Sequence, residues 1–322
     1  MAEVEVGRGG VKAGFDAEGG AFGGGLFQAL AEVFFADEFG ETLLEVGELF
    51  FDWERNHPTI VCVGREILFL EPPAGAVRVA YGPLEQQFGE LRLPEGPHQG
   101  AQPFPLVVLI HGGFWRNQFG LEHMGHMGAE LAREGVATWS IEYRRLGEEG
   151  GGWPGTFEDV RDACGFARAL AETYPLRLDR VVACGFSAGG QLALWAAAEE
   201  VLEFRAVVTL GGVVDLRRAY ELGLSNNVVR DLLGGGPEEA PERYAWASPV
   251  ERLPIRARQH VVHGDADDVC PMELAERYME AARATGSEAR LVRLAGATHF
   301  DGIDPRSSYW ARVRAVLFGG LG

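Results

Sequence analysis

The pattern of apolar and polar positions changes character near Val77. From there to the C-terminus, short apolar runs alternate with stretches of helical period, and glycine, proline or aspartate bounds most of them. Val77–Tyr81 and Phe88–Leu93 alternate apolar with polar residues between Gly82-Pro83 and Pro94-Glu95-Gly96-Pro97, which predicts a β-hairpin or two edge strands. Leu106–Ile110 is an unbroken aliphatic run, the pattern of a central strand buried on both faces. Further strands are expected at Val136–Tyr143, Arg180–Cys184, Arg205–Leu210, Arg258–Val262 and Ala289–Leu294. Helices are expected near Leu121–Glu134 and over Thr156–Tyr174, Gln191–Ala198, Met272–Thr285 and Ser307–Leu317, with Thr156 as an N-cap and Asp159 as the acid of its capping box. Strand and helix in alternation predict an α/β domain over residues 76–322, with a mostly parallel sheet and helices on both faces. Val213–Val250 breaks the rhythm around Gly234-Gly235-Gly236-Pro237 and reads as a small cap insertion over the site. Sheets of this kind gather their functional residues at the carboxyl ends of the strands.

Residues 1–75 lack this rhythm and read as an N-terminal extension. Glycine clusters flank a segment rich in Phe, Leu and Glu, in which Leu26, Leu30, Val33 and Phe34 have helical spacing. Fourteen acids and four bases give this segment a net charge of −10, over half of the −18 carried by all 322 residues. So acidic a chain is not expected to bind nucleic acid or an anionic membrane. Lys12 is its one lysine, which excludes a Schiff base, a Ser–Lys dyad or a P-loop further along. Cys62, Cys164, Cys184 and Cys270 have no C-x-x-C spacing and are expected as reduced, buried thiols. With no basic, apolar leader and no apolar run of membrane-spanning length, the expectation is a cytoplasmic protein.

The strongest chemical signal is Gly185-Phe186-Ser187-Ala188-Gly189, set between the strand ending at Cys184 and the helix beginning at Gln191. Strand, sharp turn and helix are the context of the G-x-S-x-G nucleophile elbow, in which small neighbours leave room for a strained serine. A serine hydroxyl needs a base, and the elbow architecture orders the triad serine, acid, histidine. Of the later histidines, His260 lies inside a strand and His263 precedes the acidic loop, so His299 is the candidate base. Asp265, Asp267 and Asp268 are all candidates for the acid, and spacing alone does not choose among them. The loop His111-Gly112-Gly113-Phe114-Trp115 follows a central strand, where paired glycines let backbone N–H groups approach an oxyanion. Gly113 and Ala188 are the expected donors, with Phe114 and Gly112 as further candidates, and His111 is read as an anchor of the loop. Trp115, Phe186 and Trp153 are candidate pocket walls, although an aromatic residue at such a place equally suits the core. Two weaker signals carry nothing: Gly150–Gly155 matches G-x-G-x-x-G but lacks a preceding strand, and His123 with His126 lacks a third ligand, so no metal site is expected.

Taken in order, His111-Gly112-Gly113-Phe114-Trp115, Gly185–Gly190, His263-Gly264-Asp265-Ala266-Asp267-Asp268-Val269-Cys270-Pro271 and Thr298-His299-Phe300 resemble the α/β-hydrolase superfamily. Within it they are similar to the bacterial esterase branch near the kynurenine formamidases, the feruloyl and acetyl-xylan esterase-like domains and the prolyl-oligopeptidase-type catalytic domains. The resemblance runs from about Val77 to the C-terminus and implies an α/β-hydrolase fold and a Ser-His-Asp hydrolase without cofactor. Its H-G-x-x-D-x-x-V-P pattern maps the acid onto Asp267 and puts Cys270 where valine is usual, a packing position. The implied substrate is a small ester, with an aryl formamide as the alternative and a peptide or a non-catalytic binding role behind it. A homo-oligomer is compatible with the sequence.

Overall fold

The computed structural model describes residues 65–95 and 103–322 and, upstream, the backbone of four short strands. Those four form two antiparallel pairs, β1 (Val4–Gly7) with β2 (Gly10–Ala13) and β3 (Leu49–Asp52) with β4 (His57–Ile60). The helix that the spacing of Leu26, Leu30, Val33 and Phe34 suggests near residues 26–36 lies outside the described residues. Contacts divide the chain into two compact units, Met1–Glu71 and Pro72–Gly322.

The second unit is built on a sheet of β5 (Val77–Ala80), β6 (Phe88–Arg92), β7 (Phe104–Ile110), β8 (Ala137–Ile141), β9 (Leu176–Phe186), β10 (Ala206–Leu210), β11 (Arg258–Gly264) and β12 (Ala289–Leu294). Its spatial order is β12-β11-β10-β9-β7-β8-β6-β5. All neighbours from β12 to β8 run parallel, whereas β6 is antiparallel to both β8 and β5. Successive side chains of a strand point to opposite faces, yet Leu106, Val107, Val108, Leu109 and Ile110 are all 0% exposed, so both faces of the sheet are covered. Each such aliphatic side chain contributes roughly 1.5–3 kcal/mol relative to leaving it in water. β7 lies between β8 and β9, with β8 separating it from β6. The carboxyl ends of β7 and β9 therefore lie next to each other, with Ile110 paired to Gly185.

The helices are α1 (Gly125–Arg133), α2 (Gly155–Gly165), α3 (Ala167–Thr173), α4 (Ala188–Ala198), α5 (Leu216–Glu221), α6 (Leu224–Leu233), α7 (Pro241–Ala247), α8 (Met272–Thr285) and α9 (Trp310–Leu321). The single helix expected over Thr156–Tyr174 is two, separated at Phe166. The capping box is absent too. Thr156 Oγ1 accepts from Gly152 N–H and donates to Arg144 C=O, and the Asp159 carboxylate is taken up by Arg144 and by Gln87 Nε2 at 2.7 Å. A buried carboxylate gains more from a guanidinium and an amide than from one helix-end N–H.

The insertion after β10 holds α5 to α7. Its Trp246 packs at 4.4 Å from Trp153, 4.8 Å from Trp195 and 5.2 Å from Phe157, ring centre to ring centre. Its backbone is tied to the loops that leave β7 and β8: Arg116 donates to Ser225 C=O at 3.2 Å, and Trp153 N–H donates to Leu232 C=O at 2.8 Å. Both anchors hold the insertion at the carboxyl side of the sheet. No helix among the described residues is long and apolar enough to cross a membrane.

Candidate active site

Strand β9 runs straight into Ser187, and α4 begins at the next residue. Ser187 has φ 53° and ψ −119°, a backbone conformation that an L-residue holds only when its surroundings impose it. Three backbone hydrogen bonds do so: Ser187 N–H donates to Leu210 C=O at 2.9 Å, and Ser187 C=O accepts from Gly190 at 2.9 Å and Val213 at 3.3 Å. The turn is also too tight for side chains. A Cβ on Gly185 would stand 2.0 Å from Gly189 C=O, and one on Gly189 would stand 2.1 Å from Ile110 C=O. Ser187 is buried, and its Oγ touches Cys270 Sγ at 3.9 Å.

Among the three acids open from spacing, the fold brings Asp267 to His299. His299 Nδ1 lies 2.7 Å from Asp267 Oδ2, both side chains being almost wholly buried. The other carboxylate oxygen accepts N–H bonds from Val269 at 3.0 Å and Cys270 at 2.7 Å. Burial alone would raise the carboxyl's pKa, but the His299 hydrogen bond and charge, with the Cys270 N–H, hold it below the ordinary carboxylate value. Asp268 is exposed, and Asp265 accepts from Gly296 N–H at the far end of the loop. Gly211, the residue after Ser187's partner Leu210, packs against the pair: a Cβ there would sit 3.0 Å from both Asp267 Oδ2 and His299 Nδ1. Ser187 and the His299–Asp267 pair thus lie around the ends of β9, β10 and β11. The Phe186 ring stands 4.8 Å from that of His299.

The glycine-rich loop after β7 faces the same point. Gly113, Phe114 and Trp115 all have positive φ (110°, 49° and 57°), which turns successive peptide N–H groups out of the sheet register. The N–H groups of Gly113, Phe114 and Ala188 have no acceptor among the described residues, and Ala188 N–H opens α4, where the helix dipole is positive. Gly112 is a correction. Its N–H is taken by His123 Nε2 at 3.4 Å, and a Cβ on it would meet Ser187 Cβ at 2.9 Å, so its contribution is space. Trp115 is a second correction: it is 0% exposed and its indole N–H donates to Gln191 Oε1 at 3.0 Å, which makes it core rather than pocket wall. Trp153 belongs to the aromatic cluster that seats the insertion.

Beneath the loop lies a buried polar network. His111 Nε2 meets Glu142 Oε1 at 2.8 Å, the His111 ring stacks on Tyr143 at 4.3 Å, and Tyr143 Oη donates to His111 C=O at 2.9 Å. Burial first, and His111 second, lower the His123 pKa to about 3, so this ring stays neutral and keeps an acceptor nitrogen for Gly112.

Several of these partners escaped the sequence reading. Gln191 is the single polar side chain on an otherwise apolar α4, which was a signal: it also donates to Ala247 C=O at 2.8 Å and so joins the glycine-rich loop after β7 to the insertion. Gly211-Gly212 closing a strand was another. Cys270 is more than a packing residue, since its thiol contacts the serine and its N–H holds the acid.

Residues 95–281, more than half of the chain, match the BD-FAE family model. The chain belongs to the BD-FAE family. The BD-FAE match spans the glycine-rich loop after β7, the turn at Ser187 and the Asp267 loop. A "Probable isoprenylcysteine alpha-carbonyl methylesterase ICME" of Oryza sativa subsp. japonica is 24% identical over 69% of this chain and 57% of its own length. "Esterase LipC" of Mycobacterium tuberculosis is 27% identical over 63% of this chain and 55% of its own, and "Uncharacterized peptidase YtmA" of Bacillus subtilis is 30% identical over 43% and 54%. The chain therefore spans little more than half the length of these curated relatives. Among solved structures, esterase B from Lactobacillus rhamnosis superposes with a TM-score of 0.68 at 17% identity, covering 80% of this chain and 89% of the other. A truncated carbohydrate esterase from gut microbiota gives 0.66 at 22% identity, covering 78% and 99%. These likenesses show that the BD-FAE chain has the α/β-hydrolase fold.

Proposed function

We propose that this chain is a serine hydrolase that cleaves a small carboxylic ester through an acyl-enzyme, without a cofactor. The observation that carries the reading is the buried His299–Asp267 pair, 2.7 Å long, packed against the residue that follows Ser187's own backbone partner. The esterase and methylesterase names of relatives matching more than three fifths of the chain support the ester class.

Ser187 Oγ turns from Cys270 toward His299 Nε2, gives up its proton and attacks the carbonyl carbon. Asp267 accepts from Nδ1–H, which fixes the imidazole tautomer and stabilises the imidazolium. The tetrahedral oxyanion is held by the N–H groups of Gly113, Phe114 and Ala188, which need not abandon another partner to do so. His299 returns the proton to the leaving alcohol, and water then repeats the sequence on the acyl-enzyme. Cys164, Cys184 and Cys270 are all buried free thiols, which supports a reducing, cytoplasmic setting.

The test is a substrate panel with a nucleophile variant: p-nitrophenyl acetate, butyrate and palmitate, methyl ferulate, N-formylkynurenine and a peptide p-nitroanilide. Ser187→Ala should fold and hydrolyse at background, and a fluorophosphonate should label the parent at Ser187. Ester turnover by the alanine variant within a few-fold of the parent would refute the mechanism. A preference for N-formylkynurenine over every ester by roughly a hundredfold would move the substrate class to formamides. A best rate on the palmitate ester would refute a compact substrate.

A further inference from the structure

His263 closes β11 and is fully buried, four residues before Asp267. Its Nε2 faces two acceptors, the Cys270 carbonyl oxygen at 2.7 Å and Asp267 Oδ2 at 3.4 Å. A ring nitrogen between a carbonyl and a carboxylate carries the proton. Its Nδ1 is buried without a partner, so no acceptor awaits a second proton. Cys270 in turn donates its N–H to Asp267 Oδ1 at 2.7 Å and presents its thiol to Ser187 Oγ. The loop from Asp267 to Cys270 is thus closed from both ends, by the aspartate on its N–H groups and by His263 on its last carbonyl.

We infer that His263 is a positioning residue for the reaction: its Nε2–H clamps the acid loop through Cys270 C=O and shares the Asp267 oxygen that orients His299. The inference rests on the triad reading above. One hydrogen bond fixes where the carboxylate points, and the longer one withdraws negative charge from the oxygen facing His299. The ionisable groups that act on His263 are Asp267, His299 and Glu276, and burial dominates them, lowering its pKa. Burial thus favours the neutral ring, in which Nε2 holds its proton toward the two acceptors.

His263→Gln carries an amide N–H to about the position of Nε2, whereas His263→Asn stops one carbon short of both acceptors. In His263→Asn, kcat should fall about tenfold, because a reacting group that loses its fixed orientation by a fraction of an ångström loses rate on that order. KM should change little. With the N–H gone, Asp267 stabilises the imidazolium more strongly, so the acid limb of kcat/KM should move to higher pH. His263→Gln should restore most of kcat and return the limb. Equal losses in both variants with an unmoved acid limb would reduce His263 to a structural role and overturn the inference. So would parental kcat in His263→Asn. Should the asparagine variant not fold, nitrogen NMR of histidine-labelled parent protein decides: His263 neutral with its proton on Nε2 is expected, and a proton on Nδ1 overturns the clamp. The NMR tautomer is independent of turnover. If Ser187→Ala retains ester activity, the triad reading fails while the tautomer result stands on its own.

Discussion

Replacing Asp267 with asparagine is the sharpest perturbation of this site, because the carboxylate has no spare acceptor. Oδ2 serves His299 Nδ1 at 2.7 Å and faces His263 Nε2 at 3.4 Å, while Oδ1 accepts Val269 and Cys270 N–H at 3.0 and 2.7 Å. An amide has one acceptor oxygen. If its oxygen stays on the loop N–H groups, its NH₂ confronts His299 and drives the imidazole proton to Nε2, where it blocks removal of the serine proton. If the oxygen turns to His299, two buried N–H donors face an NH₂ group and lose their acceptor. The first arrangement preserves the fold and costs about 10⁴ in kcat by analogy with a well-studied triad, or roughly 5 kcal/mol at 1.36 kcal/mol per tenfold. The second costs about 1–3 kcal/mol of stability per orphaned group and breaks the loop that carries the acid. Either way activity collapses, whereas the exposed Asp268→Asn should stay close to the parent. Steady-state kinetics on p-nitrophenyl acetate, with thermal unfolding to separate the two arrangements, is the assay. Asp267→Asn within tenfold of the parent, or a dead Asp268→Asn, would refute the assignment.

Gly211→Ala should impair both stability and rate. At φ +57° an L-residue costs roughly 1–2 kcal/mol, and the new methyl would stand 3.0 Å from both Asp267 Oδ2 and His299 Nδ1. A displacement of a few tenths of an ångström at that pair should lower kcat roughly tenfold, so an unchanged kcat in the folded variant would show that the pair tolerates movement. A chain shortened to Pro72–Gly322 should remain soluble and keep the parent's ester activity, because its contacts form a separate unit that holds every proposed catalytic group. Loss of its circular dichroism signal or of its activity would show that residues 1–71 are required.

The elements and their order were legible along the chain. A run such as Leu106–Ile110 leaves no polar face for solvent, and Gly185 and Gly189 leave the space the turn at Ser187 needs, where a Cβ would meet backbone carbonyls. These are local properties, decided by period and by the volume of neighbours. Chain order then singled out His299, since the choice among histidines was one of position along the chain.

What tertiary structure decided was direction. Asp265, Asp267 and Asp268 share one loop, and only the path of that loop, held by the Cys270 carbonyl on His263, points one of them at an imidazole thirty-two residues away. The same holds for Gly112, whose N–H looked equivalent to that of Gly113 until His123 claimed it, and for Trp115, drawn into the core by Gln191 on a helix that begins after the serine. Thr156 and Asp159 fit the capping pattern, but Arg144, brought in at the end of β8, offered a stronger partner than a helix N-terminus. Periodicity fixes which face of an element is buried, because that depends on neighbours a few residues away. It does not fix which buried polar group meets which, because that depends on where loops from distant strands converge.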